Sequence, residues 1–291
     1  MQSTRSDLNG ATMGTRWHLA FYGAVPPGLP DALQQAVDRI DAQMSLWKPD
    51  SDICRLNAAE VGAWVPIGPE IETVLRRALE IGQQTGWASG IAVGASVRAW
   101  GFGPQEANPD QMVALMSQPH IPAGEALDLD HGRARRMAPV QFDLNGIAKG
   151  FGVDRLVEVA QSFGIGAMVA ELDGDLRVIG TRPDGTLWPV MVEAPDYDRR
   201  SGHSMLELSD VAVATSGDYR HWVTVGDRRL SHTMNPKLHA PLADSPASVT
   251  VLAPDGMTAD AWATALMVLG VETGRHIARA NGIQAMFLER A

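Results

Sequence analysis

Phe142-Asp143-Leu144-Asn145-Gly146-Ile147-Ala148-Lys149-Gly150-Phe151-Gly152 is the stretch at which the chain changes character. It reads as a strand-to-helix junction, and the helix it opens runs over Ile147 to Phe163. From Ala167 to Val251 the pattern is mainly β. Short segments near 167–171, 175–180, 188–193, 203–208, 211–214, 220–225 and 247–252 predict strands, with turn signals at Pro183-Asp184-Gly185 and Gly226-Asp227. Two helices around 257–280 and a last strand, Ile283 to Leu288, close the chain.

Upstream of the junction helical periodicity prevails. Leu33, Val37, Ile40 and Met44 recur at three- and four-residue steps within Asp31 to Met44, and Ile71, Val74, Leu75, Leu79 and Ile81 do so within Glu70 to Gln84. Both stretches predict surface helices with one buried face. The aromatic-rich run 16–23 predicts a first strand, with Asn9-Gly10-Ala11-Thr12 as its beginning. Val97 to Pro109 carries too much Gly, Trp and Pro for an element interior and predicts a buried loop, followed by a short helix near Gln111 to Met116. Ala126 to Leu129 and Ala134 to Phe142 predict paired strands across a His131-Gly132 turn. Because strands and helices mix without strict βαβ alternation, the predicted class is α+β, with largely antiparallel sheets packed against helices.

The chain has 291 residues, 45% of them hydrophobic, with 24 Lys plus Arg against 34 Asp plus Glu. A chain this long can bury roughly 75% of its unfolded surface, so no disulfide or metal staple is needed to hold a core; one large domain and two lobes both fit. The formal net charge of −10 speaks against a uniform basic surface, and so against nucleic acid as a partner. The single cysteine, Cys54, makes neither an intrachain disulfide nor a thiolate cluster. No stretch approaches the ~20 apolar residues of a membrane span, and the opening residues lack the apolar core of a secretory signal. The expectation is a cytoplasmic protein as written, or a periplasmic one if a leader has been removed.

Three segments carry candidate chemistry. In the junction, Asp143 and Lys149 are opposite charges in a small, apolar run at a helix start, where free backbone N–H groups attract anions; a capping aspartate with a snorkelling lysine fits the same pattern. Lys149 is one of only three lysines. In Thr258-Ala259-Asp260-Ala261-Trp262-Ala263-Thr264, Asp260 and Thr264 stand four apart on one helical face. A carboxylate and a hydroxyl so placed suit Mg²⁺, although helix capping and a backbone-bonded threonine also explain them. In Leu230-Ser231-His232-Thr233-Met234-Asn235-Pro236, His232 sits among small polar residues, where a general base or a merely hydrogen-bonded loop histidine is equally at home. Ala214 to Tyr219 lines a pocket or forms a tight turn, and Arg133, Arg135 and Arg136 suit a solvated turn.

Taken in chain order, these segments resemble the ApbE family of flavin transferases. The resemblance spans nearly the whole chain: Thr12-Met13-Gly14-Thr15, Met44-Ser45-Leu46-Trp47 with Ser51 to Asn57, Trp100-Gly101-Phe102-Gly103, Asp143 to Gly150, Ala214 to Tyr219, His232 to Pro236, and Ala259-Asp260 with Thr264-Ala265-Leu266. It implies one catalytic domain over 1–291 with a T-fold-like ApbE architecture, FAD as substrate, Mg²⁺ as cofactor, and transfer of FMN to a threonine of an acceptor protein with release of AMP. It further implies Mg²⁺ on Asp260, Thr264 and the Gly146 carbonyl, and His232 as base with Asp260 in the catalytic set. Asp143, Lys149, Met13, Trp47, Met234 and the Ala88-Ser89-Gly90 run would bind the cofactor.

The sequence also departs from the family pattern. Gly90-Ile91-Ala92-Val93-Gly94 replaces an Asp-x-Thr-x-Gly run, so an expected carboxylate is missing; Asp173-Gly174-Asp175 replaces Gly-Gly-Asp, and Leu238-His239 replaces Thr-Gly. These departures keep two alternatives in play: an FAD pyrophosphatase yielding AMP and FMN, and a flavin-binding protein with degenerate catalysis.

Overall fold

The computed structural model describes residues 4–197, 199, 201–219, 222–225, 228–243 and 245–290. Strands β1 (Arg5–Thr12) and β2 (Thr15–Tyr22) form a hairpin, followed by α1 (Leu29–Met44), α2 (Asp52–Ala58), β3 (Val65–Pro66) and α3 (Pro69–Gln84). Next come α4 (Gly94–Ala99), α5 (Pro109–Met116), α6 (Ala123–Ala126), β4 (Leu127–Asp130), β5 (Arg133–Arg136) and α7 (Ala148–Ser162). The β-rich half holds β6 (Met168–Leu172), β7 (Asp175–Ile179), β8 (Trp188–Glu193), β9 (Gly202–Leu208), β10 (Val211–Gly217), β11 (Trp222–Val225), β12 (Arg228–Ser231), β13 (Met234–Asn235), β14 (Ala240–Pro241) and β15 (Ser248–Ala253). Helix α8 (Gly256–Ala280) and strand β16 (Gln284–Leu288) end the chain.

The main sheet has seven strands in the order β1-β2-β6-β7-β10-β15-β16, and every neighbouring pair in it is antiparallel. This is the α+β, largely antiparallel architecture that the residue pattern predicts. Alternation explains which face is covered. Trp17, Leu19 and Phe21 of β2 stand opposite Leu172, Ala170 and Met168 of β6, and all six are buried against Leu29, Leu33 and Val37 of α1 and Val153, Leu156 and Val157 of α7. A second core joins α3, α8 and the middle strands, with Trp262 the largest of its fully buried side chains.

Several boundaries differ from the sequence reading, each for a local reason. Asn9 to Thr12 is not the start of the first strand but the end of a separate one, because Met13 (φ 47°) and Gly14 (φ 72°) make a two-residue hairpin turn. The expected buried loop at Val97 to Pro109 begins as helix α4, and its second part, Pro104 to Pro109, is exposed because that polar run has nothing to bury. Strand β5 stops at Arg136 rather than Phe142. Beyond it the Phe142 backbone is satisfied by the Asn57 side chain, which donates to its carbonyl at 2.8 Å and accepts from its N–H at 2.7 Å, in place of a ladder partner. Ser51 to Asn57, not read as helical, is mostly α2, with Ser51 as its cap. Ala214 to Gly217 is not a tight turn but the end of β10. The two terminal helices meet at Gly270 (φ 72°). Arg220, His221 and the Gly226-Asp227 turn lie outside the described residues. Of the arginine-rich turn, Arg133 is exposed on Asp130 and Arg135 half-exposed on Asp128, both guanidiniums over the Trp64 ring, but Arg136 is not solvated: it turns inward and donates to the Val140 and Ala59 carbonyls.

What brings the functional segments together is the contact between α7 and α8. A Cβ on Gly150 would lie 2.1 Å from the Gly256 carbonyl oxygen and 2.8 Å from the Asp260 Cβ, so the two helices meet backbone to backbone. Asp154 of α7 then accepts from the Gly256 N–H (2.8 Å) and the Met257 N–H (2.9 Å), closing the start of α8 together with its cap Asp255. Gly150→Ala should therefore cost about 3 kcal/mol of stability, at the upper end for overpacking because backbone rather than a flexible side chain must give way. Equilibrium denaturation of the variant beside wild type measures this directly.

Candidate functional site

Helix α7 starts without a side-chain cap at Ile147; the Ile147 and Ala148 N–H groups donate to the Leu144 carbonyl (3.1 and 2.9 Å), and the Gly150 N–H is met from α8. Asp143 is not that cap. Its own N–H donates to the Ile91 carbonyl (2.8 Å), and its buried carboxylate accepts from the Asn145 N–H (2.7 Å) and the Asn145 side chain (3.2 Å), a closed turn that holds the residues just ahead of Gly146. Burial pushes the Asp143 carboxyl up to about 6, and the two Asn145 donors offset only part of it.

Four residues after Gly146, the Gly150 N–H donates to Asp260 Oδ2 of α8 (3.0 Å), and Thr264, one turn beyond Asp260, faces the Gly146 backbone. A Cβ at position 146 would lie 2.9 Å from the Thr264 hydroxyl, so only glycine lets that backbone approach. The Thr264 hydroxyl also hydrogen-bonds Ser216 Oγ of β10 at 3.2 Å. Asp260 and Thr264, paired by helical spacing in the sequence, thus do share one face, and that face looks onto Gly146.

The residue that sequence reasoning missed is Asp175, at the start of β7. It is 3% exposed, and its Oδ2 has no hydrogen-bond partner among the described residues. Burial and then the nearby Asp260 carboxylate raise its pKa well above the ordinary range, against the attraction of Lys149. Asp260 is pushed up to about 6 by burial, moderated by the Lys149 charge and the Gly150 N–H. Lys149 itself is raised: burial opposes its charge, but Asp175, Asp260 and Asp173 outweigh that. It donates to Asp173 Oδ2 at 3.1 Å. The Asp-Gly-Asp run between two predicted strands was the available signal, since a two-residue turn must bring both carboxylates to the sheet end.

Other expected residues sit around this centre or away from it. Met13, at the tip of the β1–β2 hairpin, reaches α7, its Cε 3.8 Å from where a Gly152 Cβ would be. Ala88 and Ser89 are buried in the loop after α3, and Gly90 packs on the turn after Met234, since a Cβ there would come 2.9 Å from Pro236 Cβ. A side chain at position 90 would require Pro236 to shift, so the glycine and this turn fit each other. Met234 is buried with Val97 and Trp100. His232 is half-buried, with the Phe102 ring edge-on at 6.4 Å. Trp47 is 68% exposed on the loop after α1. Among the described residues, no group of three or more His, Cys, Asp and Glu is arranged to hold a metal by such side chains alone, so any cation here needs hydroxyl and carbonyl donors as well.

A half-buried lysine beside two buried carboxylates at a glycine-rich helix start suits a cation and an anionic ligand together. Comparisons with known proteins bear on that class. The model of the ApbE family matches residues 13–287. The chain is 35% identical to an FAD:protein FMN transferase of Vibrio cholerae over 97% of this chain and 86% of that protein, and 29% identical to one from Escherichia coli strain K12 over 97% and 84%. Among solved structures it resembles Pseudomonas stutzeri flavinyl transferase ApbE in its apo form, with a TM-score of 0.88, 29% identity, and coverage of 100% of this chain and 93% of that one. Flavin transferase ApbE from Vibrio cholerae gives a TM-score of 0.88 and 31% identity over 99% and 94%. The chain belongs to the ApbE family.

The electrostatics of the centre make a prediction of their own. Because burial raises Asp260 to about 6, the native state is favoured where the carboxyl is protonated in both states, below its unfolded value near 4, and loses that advantage as pH rises through about 6. Asp260→Asn removes the loss. In metal-free buffer at pH 7.5 the variant should be more stable than wild type by about 2 kcal/mol, and the gap should close toward pH 4. Thermal melts of both proteins across that range give the answer.

Proposed function

We propose that the chain is a Mg²⁺-dependent FAD:protein FMN transferase, joining FMN to a threonine of an acceptor protein through a phosphoester and releasing AMP. The observation that carries this reading is the buried Asp175 oxygen, without a hydrogen-bond partner among the described residues, near enough to Asp260 for the two charges to interact, with the half-buried Lys149 attracting both acids. Two adjacent buried carboxylates with an orphaned oxygen call for a cation, and a lysine at a helix start calls for an anion; a metal diphosphate supplies both. The activity of the relatives, FAD:protein FMN transferase, fits this pairing.

In this reading Asp260, Thr264 and the Gly146 carbonyl hold Mg²⁺, a hard cation suited by an all-oxygen donor set. Bound there, the ion would neutralise the diphosphate and favour departure of AMP. Lys149 donates to a diphosphate oxygen, and the closed Asp143 turn keeps the Gly146 carbonyl in place. Met13, Trp47, Met234 and the Ala88-Ser89-Gly90 loop supply apolar cover for the flat rings of FAD. His232 accepts the proton of the acceptor threonine as its oxygen bonds to the FMN-side phosphorus. The bond from that phosphorus to the bridging oxygen breaks, and AMP leaves with the electron pair. The whole 1–291 chain then works as one catalytic unit.

Incubation with FAD, MgCl₂ and an acceptor polypeptide should yield a fluorescent covalent adduct and an equal amount of AMP. Asp260→Ala and Lys149→Ala should each lower the rate by about 10²-fold or more, as expected for loss of a charge-stabilising group. Mg²⁺ should raise the melting temperature of wild type but not of Asp260→Asn. AMP with free FMN and no need for acceptor would make the protein an FAD pyrophosphatase instead. Tight FAD binding with no AMP at any Mg²⁺ concentration, and no effect of Asp260→Ala, would leave only a flavin-binding protein.

A further inference from the structure

The tip of the β6–β7 hairpin is Asp173-Gly174, a two-residue turn with φ 53° and 94°, a conformation that Asp-Gly pairs tolerate well. At this tip the ApbE resemblance expects glycine at position 173, so the Asp173 carboxylate is a feature of this chain. Its two oxygens go to two different elements. Oδ2 accepts from Lys149 Nζ of α7 (3.1 Å), and Oδ1 accepts from Thr15 Oγ1, at the start of β2, at 2.9 Å. Thr15 pairs across the turn with Thr12, and between them lies Met13 with its positive φ. One carboxylate therefore spans the ammonium at the helix start and the hairpin tip that carries Met13.

We propose that Asp173 is a positioning residue for the extended dinucleotide: it sets the distance between the diphosphate contact, Lys149, and the ring contact, Met13. The proposal rests on the reading of Lys149 and Met13 given under the proposed function. The physical argument is one of preorganisation. Lys149 has a long, rotamer-rich side chain, and the β1–β2 tip is a two-residue turn at the edge of the main sheet. Left untied, both would have to be ordered by the ligand at a cost in affinity. Tied to one rigid turn, they are ordered before binding. The same contact also keeps the Lys149 charge paired while the site is open. A ligand that touches only Lys149 gains nothing from the tie to the hairpin, whereas a ligand that touches both ends does.

That difference gives the test. The dissociation constants of FAD and of inorganic pyrophosphate, both with Mg²⁺, are measured for wild type, Thr15→Val, Asp173→Gly and the double variant, using calorimetry or quenching of flavin fluorescence. Thr15→Val and Asp173→Gly should each raise the ratio of the FAD constant to the pyrophosphate constant by about five- to tenfold, and the double variant should be no worse than Asp173→Gly, because both break one link. Ratios within about twofold of wild type, or additive losses in the double variant, would overturn the proposal. A Thr15→Val protein that loses both ligands equally would also overturn it, since that is the mark of a general structural role. Lys149→Ala separates the two readings: it should weaken both ligands, and if it weakens neither, the assignment of the diphosphate site fails rather than the role of Asp173.

Discussion

Everything functional in this fold hangs on the backbone contact between Gly150 and Gly256. Two helices can start side by side only if neither carries a side chain at the crossing, and the 2.1 Å approach of a would-be Gly150 Cβ to the Gly256 carbonyl shows how little room exists. The contact sets the first turns of α7 and α8 against each other. From it follow the capping of α8 by Asp154, the acceptance of the Gly150 N–H by Asp260, and the seating of Thr264 on Gly146. A site built this way is held by backbone and by caps, not by flexible loops, so its donors keep their places before any ligand arrives.

The same closeness imposes a cost. Asp175 and Asp260 are both almost fully buried; the Asp260 charge makes Asp175 harder to ionise, and Asp173 does the same to Asp260. Lys149 offsets part of this, and the remainder is the surplus of negative charge that a divalent cation would remove. The loss of a carboxylate at Gly90 does not disturb that balance, because position 90 faces Pro236 and the Trp87 carbonyl rather than the acidic cluster.

Much of the architecture was legible in the sequence because periodicity depends on near neighbours. The helical faces of α1 and α3 could be read from three- and four-residue steps, and the antiparallel class from alternation with short turns. Asp260 and Thr264 could be paired because an α-helix itself places residues four apart on one side. Boundaries were missed where satisfaction of the backbone came from afar, as when Asn57 took over the hydrogen bonds of Phe142 across a long sequence separation. The hairpin turn at Met13-Gly14 was missed because a non-glycine residue occupies its first positive-φ position.

By itself, then, the sequence determined the elements, their amphipathic faces, the antiparallel α+β class and the motif order that places the chain among flavin transferases. Only the tertiary structure decided that Asp175 joins Asp260 around Lys149, that Asp143 closes a turn rather than capping α7, and that Asp173 ties α7 to the β1–β2 tip. The reason is physical. A carboxylate's partners, its desolvation and its charge state are set by groups brought close in space from α7, α8 and the hairpin tips, and no local periodicity records how near those groups will come.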